Sequence, residues 1–219
     1  MIYFTSDEHY GHQNVIKFCK RPFSSCIEMR EEMIKRHNSR VKSGDLTYHL
    51  GDMFWKDTNI DEALEIISRL NGNHYYIYGN HEEVMERSLE LRSKFVWCKD
   101  IVTLRKTEFS PKIVLCHYAM LVWPGSHSGN WQLYGHSHGE LSKGVPDTSI
   151  VSKLNSIDVG VDCHNYYPVS LEEVAQKIKA KQNVSGWTKH YCIACNHEFS
   201  NYSKLDEVCS RCLERMVTK

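Results

Sequence analysis

No stretch of this 219-residue chain approaches the ~20 consecutive apolar residues of a bilayer-crossing helix, so a membrane partner is not expected. Net charge is missing as well. Lys plus Arg and Asp plus Glu are both 27, which leaves no global field to draw in nucleic acid or an acidic membrane. Internal repeats and low-complexity tracts are lacking too, so the chain reads as ordinary globular sequence. Its length suits one well-buried domain with a small appendage.

Cysteine, in contrast, is plentiful, and the nine residues fall into two sets. Cys192, Cys195, Cys209 and Cys212 form two C-x-x-C pairs thirteen residues apart, while Cys19, Cys26, Cys98, Cys116 and Cys163 stand singly. The paired set predicts a tetrahedral four-cysteine zinc ribbon, in which each pair grips one face of a structural zinc ion. So short a segment cannot build an adequate apolar core, so the metal would supply most of its folding free energy. The single cysteines read as small buried residues of a reduced protein. Charge is locally uneven: Lys17 to Lys42 holds eight Lys or Arg against three Glu. A solvated helix face explains that excess more simply than a phosphate-attracting patch.

Short β-branched or aromatic runs alternate at first with helical patterns. Strands are predicted at residues 2–5, 46–50, 75–78, 101–105, 113–116, 131–134 and 157–161. Helices are predicted over 13–20, with Cys26, Met29, Met33, Ile34 and Ile27, Ile34, Val41 spaced for another over 26–41. Ile60, Ala63, Leu64, Ile67 and Leu70 make a cleaner stripe, with Asn59 as N-cap and Asn71-Gly72 as the stop. Ser170-Leu171-Glu172-Glu173 is a capping box before a last amphipathic helix. The expected fold class is α/β (α+β): a layered sandwich with helices outside. Composition shifts near Gln182–Gly186, which divides the chain into a catalytic domain over 1–183 and the ribbon over 187–219.

Five polar motifs carry the chemistry: Asp7-Glu8-His9, Gly51-Asp52, Gly79-Asn80-His81, His117 and Gly135-His136-Ser137-His138. The first four each follow a predicted strand, and residues just past strand ends converge on one sheet edge. Carboxylate, imidazole and amide ligands suit first-row divalent metals. Asp7, His9 and His138 are assigned to one ion, Asn80, His117 and His136 to a second, and Asp52 to both. Ions sharing a carboxylate sit about 3.5–4 Å apart and clamp an in-line displacement at phosphorus. His136 and His138 are expected on an extended segment whose alternate side chains project alike. Glycines before Asp52, Asn80 and His136 are expected to permit tight turns. His81, not needed as a ligand, is the candidate general acid for the leaving alkoxide.

In its D-x-H, G-D, G-N-H, H and G-H-x-H series the chain resembles the calcineurin-like metallophosphoesterases. Thr5-Ser6-Asp7 with Gly11-His12, the stretch from His117 through Trp123 to His138, and Asp158-Val159-Gly160-Val161-Asp162 are similar to the small single-domain members of bacteria and phages. The resemblance covers residues 1 to about 180. It implies a double-sheet sandwich, two transition metals (manganese, iron, nickel, cobalt or zinc), the ligand roles above, and hydrolysis of phosphomonoesters or phosphodiesters, including nucleotides and nucleic acid. Met53-Phe54-Trp55-Lys56 after Gly51-Asp52, and Tyr78 before Gly79-Asn80-His81, depart from the protein Ser/Thr phosphatase pattern. Glu82 stands where many relatives have Asp.

The expected function is therefore a binuclear-metal phosphoesterase, preferring diesters of nucleotides or nucleic acid because His81 is retained and a basic segment is near. A phosphomonoesterase acting on a nucleotide or protein, and an inactive scaffold of the same fold, are the alternatives. His12, Asn14 and His127 are candidates for binding substrate phosphate, with structural roles equally open. Tyr10, Trp123 and Trp131 suit core packing or loop anchoring better than base stacking. His37, His49, His74, His164, His190 and His197 read as bland. The ribbon carries five Lys or Arg against four Asp or Glu from Trp187 onward, so docking to protein or nucleic acid competes with simple stability. Asp7 lies too near the start for a cleaved leader. The expected compartment is the cytoplasm, bacterial or that of a phage's host.

Overall fold

The computed structural model describes residues 1–108, 110–142, 155–184, 189–191 and 198–200. In the first sheet, β1 (Ile2–Thr5), β2 (Leu46–His49), β3 (Asn73–Ile77) and β4 (Cys98–Lys99) run parallel, and β9 (Val169–Ser170) joins β1 antiparallel. Its order is β4-β3-β2-β1-β9. In the second, β6 (Ile113–Cys116), β7 (Trp131–Tyr134) and β8 (Ser156–Asp158) are parallel, with β5 (Ile101–Leu104) antiparallel at the β6 edge.

Phe4, Tyr48 and Ile77 from the first sheet pack with Ile113, Leu115, Leu133 and Ile157 from the second. The opposite face of the first sheet packs, through Tyr76, under α2 (Cys26–Arg40) and α3 (Ile60–Arg69), which bring Met29, Met33, Ile34, Ala63, Ile66 and Ile67. Burial on both faces explains why the central strands read as runs rich in β-branched and aromatic residues rather than as a regular apolar–polar alternation. Each such side chain contributes about 1.5–3 kcal/mol when fully buried. This double-sheet sandwich flanked by helices is the architecture expected.

The helix starts follow their sequence signals. Ser25 caps α2 by accepting from Glu28 N, and Asn59 caps α3 by accepting from Asp61 N at 2.8 Å. Ser170 and Glu173 close a reciprocal capping box at 3.1 and 2.8 Å in front of α6 (Leu171–Val184). Other details differ. The first helix, α1 (Gln13–Phe18), stops early because the backbone turns left-handed at Lys20, φ 52°. Ile27 is 66% exposed, so the α2 face is set by Met29, Met33, Ile34 and His37. Helix α3 ends at Arg69, before Gly72, as extended Leu70 turns inward toward β3. Val161 leaves β8 for a single 3-10 turn over Val161–Cys163. Two five-residue helices, α4 (Glu83–Arg87) and α5 (Leu89–Ser93), and two-residue β4 and β9, are too short to show periodicity.

Within the locally basic segment, Arg30 pairs with Glu31 and Glu62, Arg36 with Glu32, and Arg40 with Glu173. These arginines are thus offset by neighbouring carboxylates. Among the described residues no helix is long and apolar enough to cross a membrane. Beyond α6, β10 (Lys189–Tyr191) and β11 (Glu198–Ser200) pair antiparallel. The predicted ribbon ligands Cys192, Cys195, Cys209 and Cys212 lie outside the described residues.

Candidate metal centre

Asp7 and His9 follow β1, Asp52 follows β2, Asn80 and His81 follow β3, His117 follows β6, and His136 and His138 follow β7. The parallel strands bring these ends to one edge of the sandwich. Five of the eight residues sit in left-handed backbone: Asp7 (φ 61°), His9 (53°), Asp52 (55°), His136 (64°) and His138 (47°). Non-glycine residues there cost on the order of 1–3 kcal/mol each and persist only where surroundings over-determine them. Here Asp7 N donates to Gly51 O at 3.1 Å and His9 N to Asp52 O at 3.0 Å, so the first two loops run side by side. His136 N donates to both carboxylate oxygens of Asp7, at 3.1 and 3.0 Å.

Two expectations are corrected by this geometry. His136 and His138 do not alternate along an extended segment; each is turned by its own left-handed backbone. Of the three glycines, Gly51 has a positive φ (95°), but Gly79 and Gly135 do not. They are needed for space: a Cβ on Gly79 would collide with Asp52 Oδ1, and one on Gly135 with Ser6 Oγ and Asp7 Oδ2.

The side chains gather as two adjoining groups. Ligand atoms of Asp7, His9 and His138 lie within 4.8 Å of one another, and so do those of Asp52, His117 and His136. Asp52 Oδ2 links them, 3.7 Å from His9 Nε2 and 3.6 Å from His117 Nε2. Its partner Oδ1 is turned away and accepts from the amides of Asn80 and His81, both at 2.9 Å. His117 Nδ1 donates to Leu50 O at 2.7 Å, and burial holds this imidazole below its ordinary pKa, hence neutral. Its Nε2 lone pair then faces Asn80 Oδ1 at 3.1 Å, acceptor against acceptor. A cation between them removes that conflict. Buried His9 Nδ1 has no hydrogen-bond partner. Burial also pushes the Asp7 carboxyl well above the usual carboxylate range and the His9 imidazole well below its own. Divalent cations fit this donor set.

Residues not singled out as functional from the sequence hold the ligands in place. Asp162 Oδ2 accepts from His138 Nδ1 at 2.7 Å, which holds the ring with Nε2 toward Asp7 Oδ1, 3.9 Å away. Burial alone would lower His138, but Asp162, Cys19 and Asp7 outweigh it and hold the imidazole up at about 10. Buried Arg21 grips both Asp162 oxygens, at 2.9 and 2.7 Å, and donates to the Asp7 and Glu8 carbonyls, each at 2.8 Å. Asp158 accepts from Ser137 Oγ at 2.5 Å and Gly139 N at 3.0 Å, pinning the His136–His138 loop. Glu82 accepts from Gly79 N and Asp52 N, and burial, partly offset by those bonds, raises its carboxyl to about 7.

Glu8 points the other way. It accepts from Thr5 Oγ1 at 3.1 Å and meets His49 Nδ1 at 3.0 Å; His49 Nε2 meets His74 Nδ1 at 3.0 Å, and His74 Nε2 donates to Leu70 O at 3.3 Å. Two histidines that read as bland thus form a buried chain that anchors the loop between Asp7 and His9.

His81 is half-buried beside the groups, its ring 5.6 Å from that of His9 and 4.9 Å from that of Trp55. His12 stacks on Trp55 at 3.6 Å and meets His9 edge-on at 5.6 Å; burial, then His81, lowers it to about 4. Asn14 is exposed on α1, and His127 is exposed on the 3-10 turn Ser126–Ser128. Tyr10 and Trp131 are core residues, and buried Trp123 anchors its loop through Nε1 to Asn130 O at 3.0 Å.

Two facing sheets with carboxylate and imidazole groups gathered past their strand ends describe a metallophosphoesterase. The family model for calcineurin-like phosphoesterases matches residues 1–159, and the chain belongs to that family. It is similar to an uncharacterized protein of Methanocaldococcus jannaschii, 33% identical over 179 residues, 81% of this chain and 91% of that one. It also resembles the crystal structure of a protein of unknown function from Aquifex aeolicus. That likeness, at 23% identity and a TM-score of 0.62 over 80% of this chain and 98% of the other, shows a shared fold. Family membership supports metal-dependent phosphoester hydrolysis.

Proposed function

We propose that the chain is a binuclear-metal phosphodiesterase acting on nucleotides or nucleic acid. Asp7, His9 and His138 would hold one divalent ion, Asn80, His117 and His136 the other, and Asp52 both. The observation that carries this reading is Asp52 Oδ2, 3.7 and 3.6 Å from a histidine of each group. Bound cations supply charge to offset that developing on the phosphoryl oxygens and lower the pKa of water. The protein's own residues do the rest. Asp52 keeps its orientation through the Asn80 and His81 amides. Asp162 and Arg21 keep His138 directed at the centre. His81, packed against Trp55, is free of any ligand duty and protonates the departing alkoxide, a role typically worth ~10²–10⁴-fold. The diester preference rests on His81 alone, since the arginines of the basic segment are paired.

Turnover of bis-p-nitrophenyl phosphate in Mn²⁺, abolished by EDTA, with little turnover of p-nitrophenyl phosphate, is the expected result. Hydrolysis of the monoester alone would make the protein a phosphomonoesterase, and inertness toward both would make it a scaffold. We further propose a cytoplasmic protein of two parts, a catalytic domain over 1–183 and a four-cysteine zinc ribbon over 187–219 that docks a partner. Truncation after Gly186 tests the docking: equal losses on small and polymeric substrates would leave the ribbon a purely structural part.

A further inference from the structure

A cavity of about 670 Å³ opens beside His136 and His138, one residue from each ligand group, with Phe18, Lys20 and Tyr166 among its walls. We propose that it is a nucleoside subsite, receiving the sugar and base of a nucleotide whose phosphate lies at the metal centre; this rests on the phosphoester reading above.

Four observations carry it. Both histidines line the cavity, so it lies against the loop that carries one ligand of each group. Its volume lies within the ~300–1,000 Å³ of small-molecule sites and exceeds what a single phenyl ring fills. Phe18 closes α1 and is 76% exposed, its ring meeting His12 edge-on at 6.3 Å. That leaves an apolar face beside the reacting centre, suited to stacking on a base. Tyr166 is a fixed wall, packed edge-on against Phe23 at 4.9 Å and under Arg36 at 5.5 Å.

Charge also favours approach from this side. Here Lys20 stands with two carboxylates, Glu140 and the Arg21-paired Asp162, whereas the recess beside Asn80 is lined by Glu82, Glu83, Glu86 and Asp100 with no cation among them, which repel an anionic substrate more strongly. The Tyr166 hydroxyl adds a donor and an acceptor for the polar edges of sugar and base.

The test is isothermal titration of the full chain, loaded with Mn²⁺, with adenosine 5′-monophosphate, methyl phosphate and phenyl phosphate. The nucleotide should bind at least about tenfold more tightly than methyl phosphate, and Phe18→Ala should remove most of that advantage, as loss of one stacking partner does. Phe18 is exposed at a helix end, so the substitution leaves the core intact. Equal affinities for nucleotide and methyl phosphate would overturn the proposal, as would an advantage that survives Phe18→Ala. Phenyl phosphate binding as tightly as the nucleotide would also overturn it, in favour of a generic aromatic pocket. Turnover of bis-p-nitrophenyl phosphate by the same preparation separates the two claims. Turnover without nucleotide preference sinks the subsite alone; nucleotide preference without turnover keeps the subsite and sinks hydrolysis.

Discussion

Asp52 divides its duties between two oxygens, one tied to backbone amides and one facing both ligand groups. His81 is tied to the same carboxylate through its amide, which places its ring beside the centre without occupying it. If that ring protonates the leaving group, His81→Ala should lower kcat ~10²–10⁴-fold on a diester with a poor alkoxide leaving group. The loss on a p-nitrophenyl ester, whose leaving group needs no proton, should be far smaller. Equal losses on both, measured in parallel, would remove His81 from the acid role. The positioning residue Asp162 invites a different readout. Asp162→Ala frees His138 Nδ1 and should weaken Mn²⁺ binding by roughly 10–100-fold in a titration. Unchanged affinity would contradict the role assigned to it. The candidate ligands were legible because each follows an apolar run that ends in a strand. Arg21 and Asp162 were not, because these two partners lie 141 residues apart in sequence.

At the scale of elements, α2 and β3 enclose two histidines in neutral form. Burial is the main cause, holding His37 at about 4 and His74 at about 3, with His49 adding to each. Unfolding returns both toward 6.5. Below pH 6.5 the unfolded chain therefore binds protons that the folded chain refuses. The stability from this source is complete above pH 6.5 and is lost as pH falls toward about 4 for His37 and about 3 for His74. The loss is at most about 1.4 kcal/mol per pH unit for each histidine. Denaturant unfolding in EDTA between pH 7.5 and 4.5 should show this fall, and His37→Gln should reduce its slope by about one proton. A slope identical to wild type would contradict the assignment. Sequence patterning located α2, α3 and α6 through their stripes and caps. It gave no hint that His37, His49 and His74 share one buried space, because strand register and helix docking decide that. The left-handed turns at His136 and His138 were likewise invisible, since nothing local marks a histidine for that backbone.

For the molecule as a whole, two sheets packed face to face bring the strand-following loops to a common edge, with the proposed nucleoside cavity beside His136 and His138 and an acidic recess beside Asn80. The alternation of strands and helices, followed by a β-rich half, was enough to anticipate the sandwich. The pairing of strands into two sheets was not, because order and register depend on contacts distant in sequence. Anomalous scattering from crystals grown in ample Mn²⁺ tests the central claim most directly. Two peaks about 3.5–4 Å apart, with the Asp52 carboxylate reaching both, are predicted. A single peak, or Asp7 and His138 facing separate cavities, would contradict it.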